Sequence, residues 1–302
     1  MPSHPYEILD VFTDTPLAGN PLAVVHEADG LDGPAMQAIA REFNLSETIF
    51  LRDVAANDHA VRARIFTPAS ELPFAGHPTV GALVALLLRR VAAGGPATSA
   101  MLALDVPAGR IRGVVTPLDA LRARAEFDVP RLPELFRAAP EAERVARALS
   151  LAPHEIGGAL PVAVASAGVP FTFVPVTSLD ALARARVDAN LHAETFEPDH
   201  ASVFVFAQGP AGGPADYRAR MFAPHHGIAE DPATGSAVAA LAAVLHGYGH
   251  LPDGEHARRI EQGVEMGRPS EIGLEISVKG GAIHAVRLSG TAVRVAEGTL
   301  LL

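Results

Sequence analysis

Two segments of this 302-residue chain carry the same pattern. Residues 64–90 read RIFTPASELPFAGHPTVGALVALLLRR, and residues 220–246 read RMFAPHHGIAEDPATGSAVAALAAVLH. Each segment starts with Arg-x-Phe-x-Pro, crosses a short loop and ends in an apolar run that is typical of a helix. Two copies are too few for a repeat array, so the pattern predicts two similar lobes related by duplication.

The spacing between matching residues supports this duplication. Arg64 and Arg220 are 156 positions apart in the chain, whereas His77 and Asp231 are 154 positions apart. The difference predicts that one loop is two residues shorter than the other. His77 and Asp231 are then interpreted as equivalent positions, and each directly precedes a proline suited to the first position of a helix.

The two apolar runs predict enclosed helices. Residues 78–88 and 232–245 contain no charged side chain. A helix that is apolar on every side must be covered on every side, and these runs are shorter than the ~20 residues that span a bilayer. Gly81 and Gly235 predict close backbone approach one turn into each helix, between the two helices where the lobes meet.

Composition excludes several classes of function. The net charge of −10 argues against a nucleic-acid partner. The absence of cysteine excludes disulfides, thiolate catalysis and cysteine-ligated metals. The N-terminus has neither a basic region nor a long apolar run, which predicts a cytoplasmic protein without a signal peptide and without a membrane partner. We identify no metal site and nothing that requires an organic cofactor.

Strand-like segments outnumber helical ones along the chain. A helix is predicted over residues 33–43 with a stop at Asn44, and a linker or surface segment over residues 130–140. The remaining segments do not alternate strictly between strand and helix, as a parallel doubly wound sheet would. The predicted fold class is therefore α+β.

Several motifs resemble the PhzF-like family of phenazine-biosynthesis isomerases. They are DVFTDTPLAGNPLAVV, LSETIF, LPFAGHPTVGA, EDPATGSA and EMGRPS, which span residues 10 to 270. The resemblance implies the diaminopimelate epimerase-like fold, with two pseudo-symmetric lobes, each a barrel-like, mostly antiparallel sheet around a central helix. It also implies a homodimer and an active site in the cleft between lobes. The first lobe would comprise residues 1–128 joined by the C-terminal strand, about residues 288–302, and the second lobe residues 129–287.

The residues themselves point to acid–base chemistry on a carboxylate. Helix N-termini favour anions, so the starts of the two central helices would suit a small-molecule carboxylate substrate. Glu47 interrupts an apolar strand, where burial would suit it to proton transfer. At the same 156-residue spacing the second lobe has Val203, so the carboxylate is present in one lobe only. Glu47 at the solvent side of an edge strand, Asp231 as a helix cap and His77 as a core histidine are the structural alternatives.

The family resemblance assigns the site residues. It implies that Glu47, His77 and Asp231 are catalytic, with the glutamate as the acid–base. The substrate-binding candidates are residues of the matching and flanking segments: Asn20, Gly76, Thr234, Gly235, Ser236, Gln262, Met266 and Arg268.

Three functions are compatible with these residues. The first is a cofactor-independent isomerase that shifts a double bond in a small carboxylic or amino acid by proton transfer through one glutamate. The second is an amino-acid epimerase or racemase with bases other than cysteine. The third is a non-catalytic member of the family that binds a small ligand.

Overall fold

The computed structural model of the chain describes residues 3–52, 60–136 and 139–302. The chain divides into a first unit, Met1–Pro130 with Ser289–Leu302, and a second unit, Arg131–Leu288. Parts of two predicted regions lie outside the described residues: Met1, Pro2 and residues 53–59 of the first lobe, and Arg137 and Ala138 of the linker segment.

Strands dominate both units. In the first unit the strands are β1 (Ser3–Val11), β2 (Asn20–Val25), β3 (Glu47–Arg52), β4 (Ala60–Phe66), β5 (Glu71–Leu72), β6 (Ala100–Val106), β7 (Gly109–Pro117) and β8 (Arg122–Asp128). The second unit contains β9 (Glu134–Phe136), β10 (Ala163–Ser166), β11 (Pro170–Pro175), β12 (Val203–Gln208), β13 (Tyr217–Ala223), β14 (Ile228–Asp231), β15 (Gly254–Gln262) and β16 (Ser270–Lys279). The last strand, β17 (Ala282–Leu301), begins in the second unit and ends in the first.

The α-helices are fewer. They are α1 (Gly33–Phe43) and α2 (Gly76–Ala92) in the first unit, and α3 (Ala142–Ala148), α4 (Leu179–Arg184), α5 (Ala189–Thr195) and α6 (Gly235–Gly249) in the second. The predicted α+β class is confirmed. The predicted linker segment is partly wrong, because Glu134–Phe136 forms β9, which pairs with β10.

The first unit is a closed barrel of eight strands. Its order is β1-β2-β3-β4-β6-β7-β8-β17, and β17 pairs back to β1. The β2–β3 and β4–β6 pairs are parallel. The antiparallel pairs are β1–β2, β3–β4, β6–β7, β7–β8 and β1–β17. Parallel neighbours need a crossover connection, and α1 and α2 supply the two crossovers.

The second unit repeats this strand order. The sequence β10-β11-β12-β13-β15-β16 has parallel pairs at β11–β12 and β13–β15 and antiparallel pairs elsewhere. The crossover helices are α4 and α5 at the first parallel pair and α6 at the second. The two units therefore share one topology, as the duplicated segments predicted.

The enclosed helices are α2 and α6. Helix α2 packs against β1, β2, β3, β6, β7 and β8, and α6 packs against β9, β10, β11 and β16. Residues from Gly76 to Ala85 of α2 are all buried, and α6 is buried almost continuously from Gly235 to Leu245. The prediction that these two apolar runs are covered on every side is confirmed.

Helix α1 also follows its prediction. Asp32 accepts a hydrogen bond from the Ala35 amide at the N-terminus, and Asn44 ends the helix in the left-handed conformation. Its apolar face, including Met36 and Ile39, packs on Phe50 and Phe66 of the sheet. The barrel is thus covered from outside by α1 and filled from inside by α2.

The register between the two units differs from the one predicted. Arg64 forms a bidentate ion pair with Glu71, and Arg220 forms the same pair with Glu230. These pairs align ELPFAGH of residues 71–77 with EDPATGS of residues 230–236, a spacing of 159 rather than 154. The equivalent of His77 is therefore Ser236, and the equivalent of Asp231 is Leu72.

Strand pairing and helix boundaries give the same alignment. Leu72 pairs with Ile65 and Asp231 pairs with Met221, at matching positions of the two units. The central helices begin at equivalent glycines, Gly76 and Gly235. The predicted starts at Pro78 and Pro232 are wrong: the first helix starts two residues earlier and the second starts three residues later.

The counterpart of Glu47 is also corrected. Phe50 pairs with Arg64 and Val205 pairs with Arg220, so the two strands are 155 residues apart and Glu47 matches Ser202. Val203 and Val205 both pack in the hydrophobic cluster that the second unit forms with α3 and α4. A slip of one residue in a strand moves a side chain to the other face, which is why the constant spacing of 156 selected the wrong neighbour.

Gly81 makes a close approach, as predicted, but its neighbours are not the predicted ones. A Cβ atom at Gly81 would lie 2.4 Å from Leu22 Cδ2 and 2.9 Å from Val11 Cγ2. The close approach is therefore between α2 and the strands β1 and β2 of its own unit. Gly235 is the first residue of α6, not one turn into it, and the residue aligned with Gly81 is Ala240.

Candidate functional site

The first unit brings together three of the predicted residues. His77 Nδ1 lies 3.2 Å from Glu47 Oε2 and 3.5 Å from Asn20 Nδ2. Glu47 is the first residue of β3, Asn20 is the first residue of β2, and His77 is the second residue of α2. Because β2 and β3 are parallel neighbours, their N-terminal ends lie at the same edge of the sheet, where α2 also begins.

Burial determines the charge of His77. Its side chain is 4% exposed, and desolvation lowers the pKa of the imidazole from 6.5 to about 3, although a hydrogen bond with the backbone of Pro21 acts in the opposite direction. The ring is therefore neutral at pH 7. Its contact with Glu47 is between a carboxyl group and a neutral imidazole rather than an ion pair.

The other ring nitrogen of His77 is available. Nε2 is fully buried, and in the part of the chain that the structure describes it meets no hydrogen-bond partner. A buried polar atom without a partner is costly, so such atoms tend to mark a place where a ligand or water binds. The Glu47 side chain is 15% exposed, whereas its Oε2 atom is fully buried beside His77.

Both central helices start without a side-chain cap. Ala75 precedes α2 and Thr234 precedes α6, and neither side chain accepts a hydrogen bond from its helix. Among the described residues, no acceptor is found for the amides of Gly76, His77, Gly235 and Ser236. Open amides at a helix N-terminus favour an anion, as predicted for a substrate carboxylate.

A second cluster lies in the second unit. Thr234 Oγ1 donates to Asp231 Oδ2 at 2.6 Å, and the fully buried Gln262 contacts both residues. Gln262 Nε2 donates to the Asp231 carbonyl at 2.8 Å and to Thr234 Oγ1 at 3.0 Å, while its Oε1 accepts from the Thr234 amide at 3.1 Å. Asp231 is therefore bonded to Thr234, the residue directly before α6.

The remaining binding candidates are less constrained. Ser236 is partly exposed on the first turn of α6. Met266 is 36% exposed and Arg268 is half-buried, both on the loop between β15 and β16. The structure thus groups Asn20, Glu47, Gly76 and His77 in one unit, and Asp231, Thr234, Gly235, Ser236 and Gln262 in the other.

Sequence reasoning missed what Gln262 does and which residues are equivalent. The shared motif Glu-x-Pro-x-x-Gly, ELPFAG and EDPATG, is visible in the sequence and would have given the correct alignment. No signal in the sequence links Gln262 to Thr234, which lies 28 positions away.

The described residues contain neither a metal-binding cluster nor a helix suited to span a membrane. Within residues 3–52, 60–136 and 139–302, no group of three or more histidine, aspartate or glutamate side chains could hold a metal ion. Nor does any described helix have the length and apolar character to cross a bilayer.

Comparison with known proteins adds a family to this geometry. The sequence model of the phenazine biosynthesis-like protein family matches residues 9–298. An uncharacterized isomerase of Mesorhizobium japonicum is 44% identical over all of both chains, and the trans-2,3-dihydro-3-hydroxyanthranilate isomerase of Pseudomonas aeruginosa is 36% identical over 98% of both. A crystal structure of a PhzF-family phenazine biosynthesis protein from Bacillus anthracis is 26% identical, covers 100% of both chains and has a TM-score of 0.87. The chain therefore belongs to the phenazine biosynthesis-like protein family and is an isomerase of that family.

Proposed function

We propose that the protein moves one proton between two carbons of a small cyclic carboxylic acid, with Glu47 as the single acid–base group. Sequence identity of 36% and 35% with two trans-2,3-dihydro-3-hydroxyanthranilate isomerases, along nearly the whole chain, supports a substrate of this class. No cofactor takes part in the proposed reaction.

The observation that carries the proposal is the environment of Glu47. Its Oε2 lies 3.2 Å from Nδ1 of a histidine that is neutral at pH 7. An imidazolium at this distance would hold the carboxylate in an ion pair and weaken it as a base, whereas a neutral imidazole leaves its charge and its basicity in place. The aligned residue of the other unit, Ser202, is not an acid or base of comparable strength.

The proposed step conserves atoms and electrons. The Glu47 carboxylate removes a proton from an sp³ carbon, and the electron pair of that C–H bond enters a π system conjugated with the substrate carboxylate. Protonated Glu47 then returns the proton to a second carbon, a new C–H bond forms, and the double bond has shifted. One group suffices because removal and return occur on the same face of the substrate.

Other residues bind and orient the substrate in this proposal. The open amides at the N-terminus of a central helix stabilise the carboxylate and the negative charge that builds on it during the reaction. His77 Nε2 is a hydrogen-bonding group for the hydroxyl or amine of the substrate. Asp231, held by Thr234, is assigned to orient a polar group of the substrate.

The test follows the proton. The wild-type protein is incubated in D₂O with trans-2,3-dihydro-3-hydroxyanthranilate, and mass spectrometry measures isomerised product and its deuterium content. We expect Glu47→Gln to lose ~10²–10⁴-fold in turnover and to retain product binding by calorimetry. Ser202→Ala is the matched control and is expected to keep the wild-type rate.

Three results would count against the proposal. An undiminished rate in Glu47→Gln would remove Glu47 as the acid–base. Absence of both product and exchange with the wild-type protein would leave only ligand binding. Inversion of an amino acid's α-carbon, detected by chiral chromatography, would favour an epimerase that recruits a second base.

A further inference from the structure

The amide group of Gln262 is hydrogen-bonded on both its nitrogen and its oxygen to the segment directly before α6. It has no exposed surface, and it makes three hydrogen bonds, two to Thr234 and one to the Asp231 carbonyl. Its partners determine its orientation: the Thr234 amide can only donate, and the Asp231 carbonyl can only accept. The amide oxygen therefore faces Thr234 N and the amide nitrogen faces Asp231 O. With these atoms engaged, Gln262 is poorly suited to contact a substrate, contrary to its prediction as a binding residue.

The hydrogen bonds form a directed chain that ends at a carboxylate. Gln262 Nε2 donates to Thr234 Oγ1, so this hydroxyl oxygen accepts one bond and turns its proton to Asp231 Oδ2, 2.6 Å away. Chains of this kind polarise one another when they are buried. Gln262 thus fixes the direction of the Thr234 hydroxyl as well as the path of the backbone.

The loop after Gln262 adds a steric support. Gly263 adopts a left-handed φ of 78°, and a Cβ atom there would lie 2.6 Å from the Pro232 carbonyl oxygen. The end of β15 is therefore packed directly on the segment from Asp231 to Thr234. A residue with a side chain at position 263 would push this segment away.

The first unit supports the matching segment differently. There the hairpin between β6 and β7 turns in two residues, and the Ala108 amide donates to the Pro73 carbonyl at 3.1 Å. The hairpin between β15 and β16 has a seven-residue connection, and a side chain replaces the backbone contact. In the second unit the Gln262 side chain thus holds the segment that contains Asp231, and in the first unit the Ala108 amide holds the segment that contains Leu72.

We infer that Gln262 is a positioning residue that holds Asp231 and the first turn of α6 in the arrangement the substrate requires. This inference rests on the proposed function of Asp231 and the α6 amides. Gln262 itself touches no reacting atom and acts through Thr234 and Asp231.

The experiment compares Gln262→Met with the wild-type protein in two independent measurements. Methionine keeps the length and volume of glutamine but cannot form the three hydrogen bonds. In ¹⁵N-labelled protein, hydrogen exchange at the Thr234 amide should become at least ~10-fold faster, because that amide loses its acceptor. In the isomerase assay, kcat should fall ~10–100-fold with KM changed by less than ~3-fold, because misplacing a binding group by a fraction of an ångström acts on the oriented complex.

Two further variants separate positioning from loss of stability. Leu149→Ala removes a fully buried side chain from the hydrophobic cluster around α3 and α4 in the same unit, and it should lower the urea concentration at the midpoint of unfolding without changing kcat. If Gln262→Met does not fold, Gln262→Glu replaces it, since this side chain keeps an acceptor for the Thr234 amide but loses the donor to Asp231 O and Thr234 Oγ1. It should then preserve slow exchange at Thr234 and still lower kcat.

The outcomes distinguish this inference from the proposed function. An unchanged kcat in Gln262→Met, with an active wild-type protein, overturns the inference and leaves the role of Glu47 intact. Unchanged exchange at Thr234 also overturns it, whatever the activity. If the wild-type protein turns nothing over, the proposed function fails, and amide exchange alone decides whether Gln262 holds this segment.

Discussion

Residues 64–92 and 220–249 are two versions of one strand–loop–helix motif, which share a few fixed positions and differ at others. Both keep the bidentate arginine–glutamate pair, the proline two residues after the glutamate, and the glycine at which the central helix begins. They differ at two aligned positions near the start of that helix. His77 in the first segment aligns with Ser236 in the second, and Leu72 aligns with Asp231.

This difference teaches how a duplicated scaffold divides chemistry between its copies. The first copy carries His77, a neutral imidazole that contacts Glu47 of β3. The second contributes an aspartate bonded to Thr234 and a serine on the first turn of α6. The glycine and the open amides, which only need a helix terminus, are common to both. The shared positions are those that the strand–loop–helix fold needs, and we propose that the differing positions separate the roles of the two copies.

The two arginine–glutamate pairs give the largest expected contrast in stability. Arg220 is 5% exposed, and besides Glu230 it donates to the carbonyls of Leu182, Ala183 and Ala185 at the end of α4. Removing one partner of a buried pair costs ~3–5 kcal/mol, because the other charge and its acceptors are left unpaired. We therefore expect Arg220→Met to lower the free energy of unfolding by that amount, measured by urea denaturation.

Arg64→Met is the matched control for this prediction. Arg64 and Glu71 are 29% and 34% exposed at their side chains, so water replaces the lost contact. An exposed pair contributes ~1 kcal/mol or less. Equal losses in the two variants would show that the carbonyls at the end of α4 do not depend on Arg220.

The second expected contrast between the two copies is in the pH dependence of stability. The unfolded chain binds a proton at His77 near pH 6.5, but the folded chain binds it only near pH 3, because burial lowers the pKa of this ring to about 3. The unfolded state therefore binds more protons between these values, and the free energy of unfolding must fall as the pH drops from 6.5 towards 3. Between pH 6.5 and pH 4.5 this one group contributes a loss of ~2–3 kcal/mol.

His77→Gln should remove that part of the acid sensitivity, because glutamine does not titrate. Urea denaturation at pH 7 and pH 4.5 measures the difference for both proteins. His225, whose pKa is lowered by partial desolvation and by the neighbouring His226, is exposed, so it should add a smaller loss that is the same in both proteins and cancels in the comparison. A slope with pH that is the same in wild type and His77→Gln would mean that His77 is protonated at ordinary pH in the folded state. Ser236, at the aligned position, gives the second copy no such sensitivity.

The sequence predicted the architecture better than the alignment of its halves. Apolar runs without charges predicted the enclosed helices, and the Asp32 and Asn44 signals predicted both ends of α1, because burial and capping act within one segment. Equivalence between the halves depends on the loop after each proline, which is longer in the second unit. Its length is marked only by the Glu-x-Pro-x-x-Gly motif that follows the loop, whereas the His-Pro and Asp-Pro steps suggest a different alignment. The spacing of 154 therefore matched His77 to Asp231.

The candidate site shows the same limit. Glu47 and His77 were predicted separately, and the register of β2 with β3 is what brings Glu47 towards the start of α2. The role of Gln262 depends on a contact between residues far apart in the chain. A one-residue slip also gave Val203 in place of Ser202, because a strand with apolar side chains on both faces does not mark which face is inside.

The smallest expected contrast concerns position 81 and its aligned residue, Ala240. Gly81→Ala places a Cβ atom 2.4 Å from Leu22 Cδ2, so β2 or the Leu22 side chain must move. Overpacking of this kind costs ~1–3 kcal/mol, and the better helix propensity of alanine offsets up to ~1 kcal/mol of it. The net loss should be ~1–2 kcal/mol, and Ala240→Gly should lose a similar ~1–2 kcal/mol, through helix propensity and the fully buried methyl group that it removes. The double variant with Leu22→Val decides the cause, because valine has no Cδ2 atom. If the close approach to Leu22 fixed glycine at position 81, Gly81→Ala should be less destabilising in the Leu22→Val background than in the wild type. An equal loss in both backgrounds would place the conflict at Val11 Cγ2, 2.9 Å from the same point, and Val11→Ala would then relieve it.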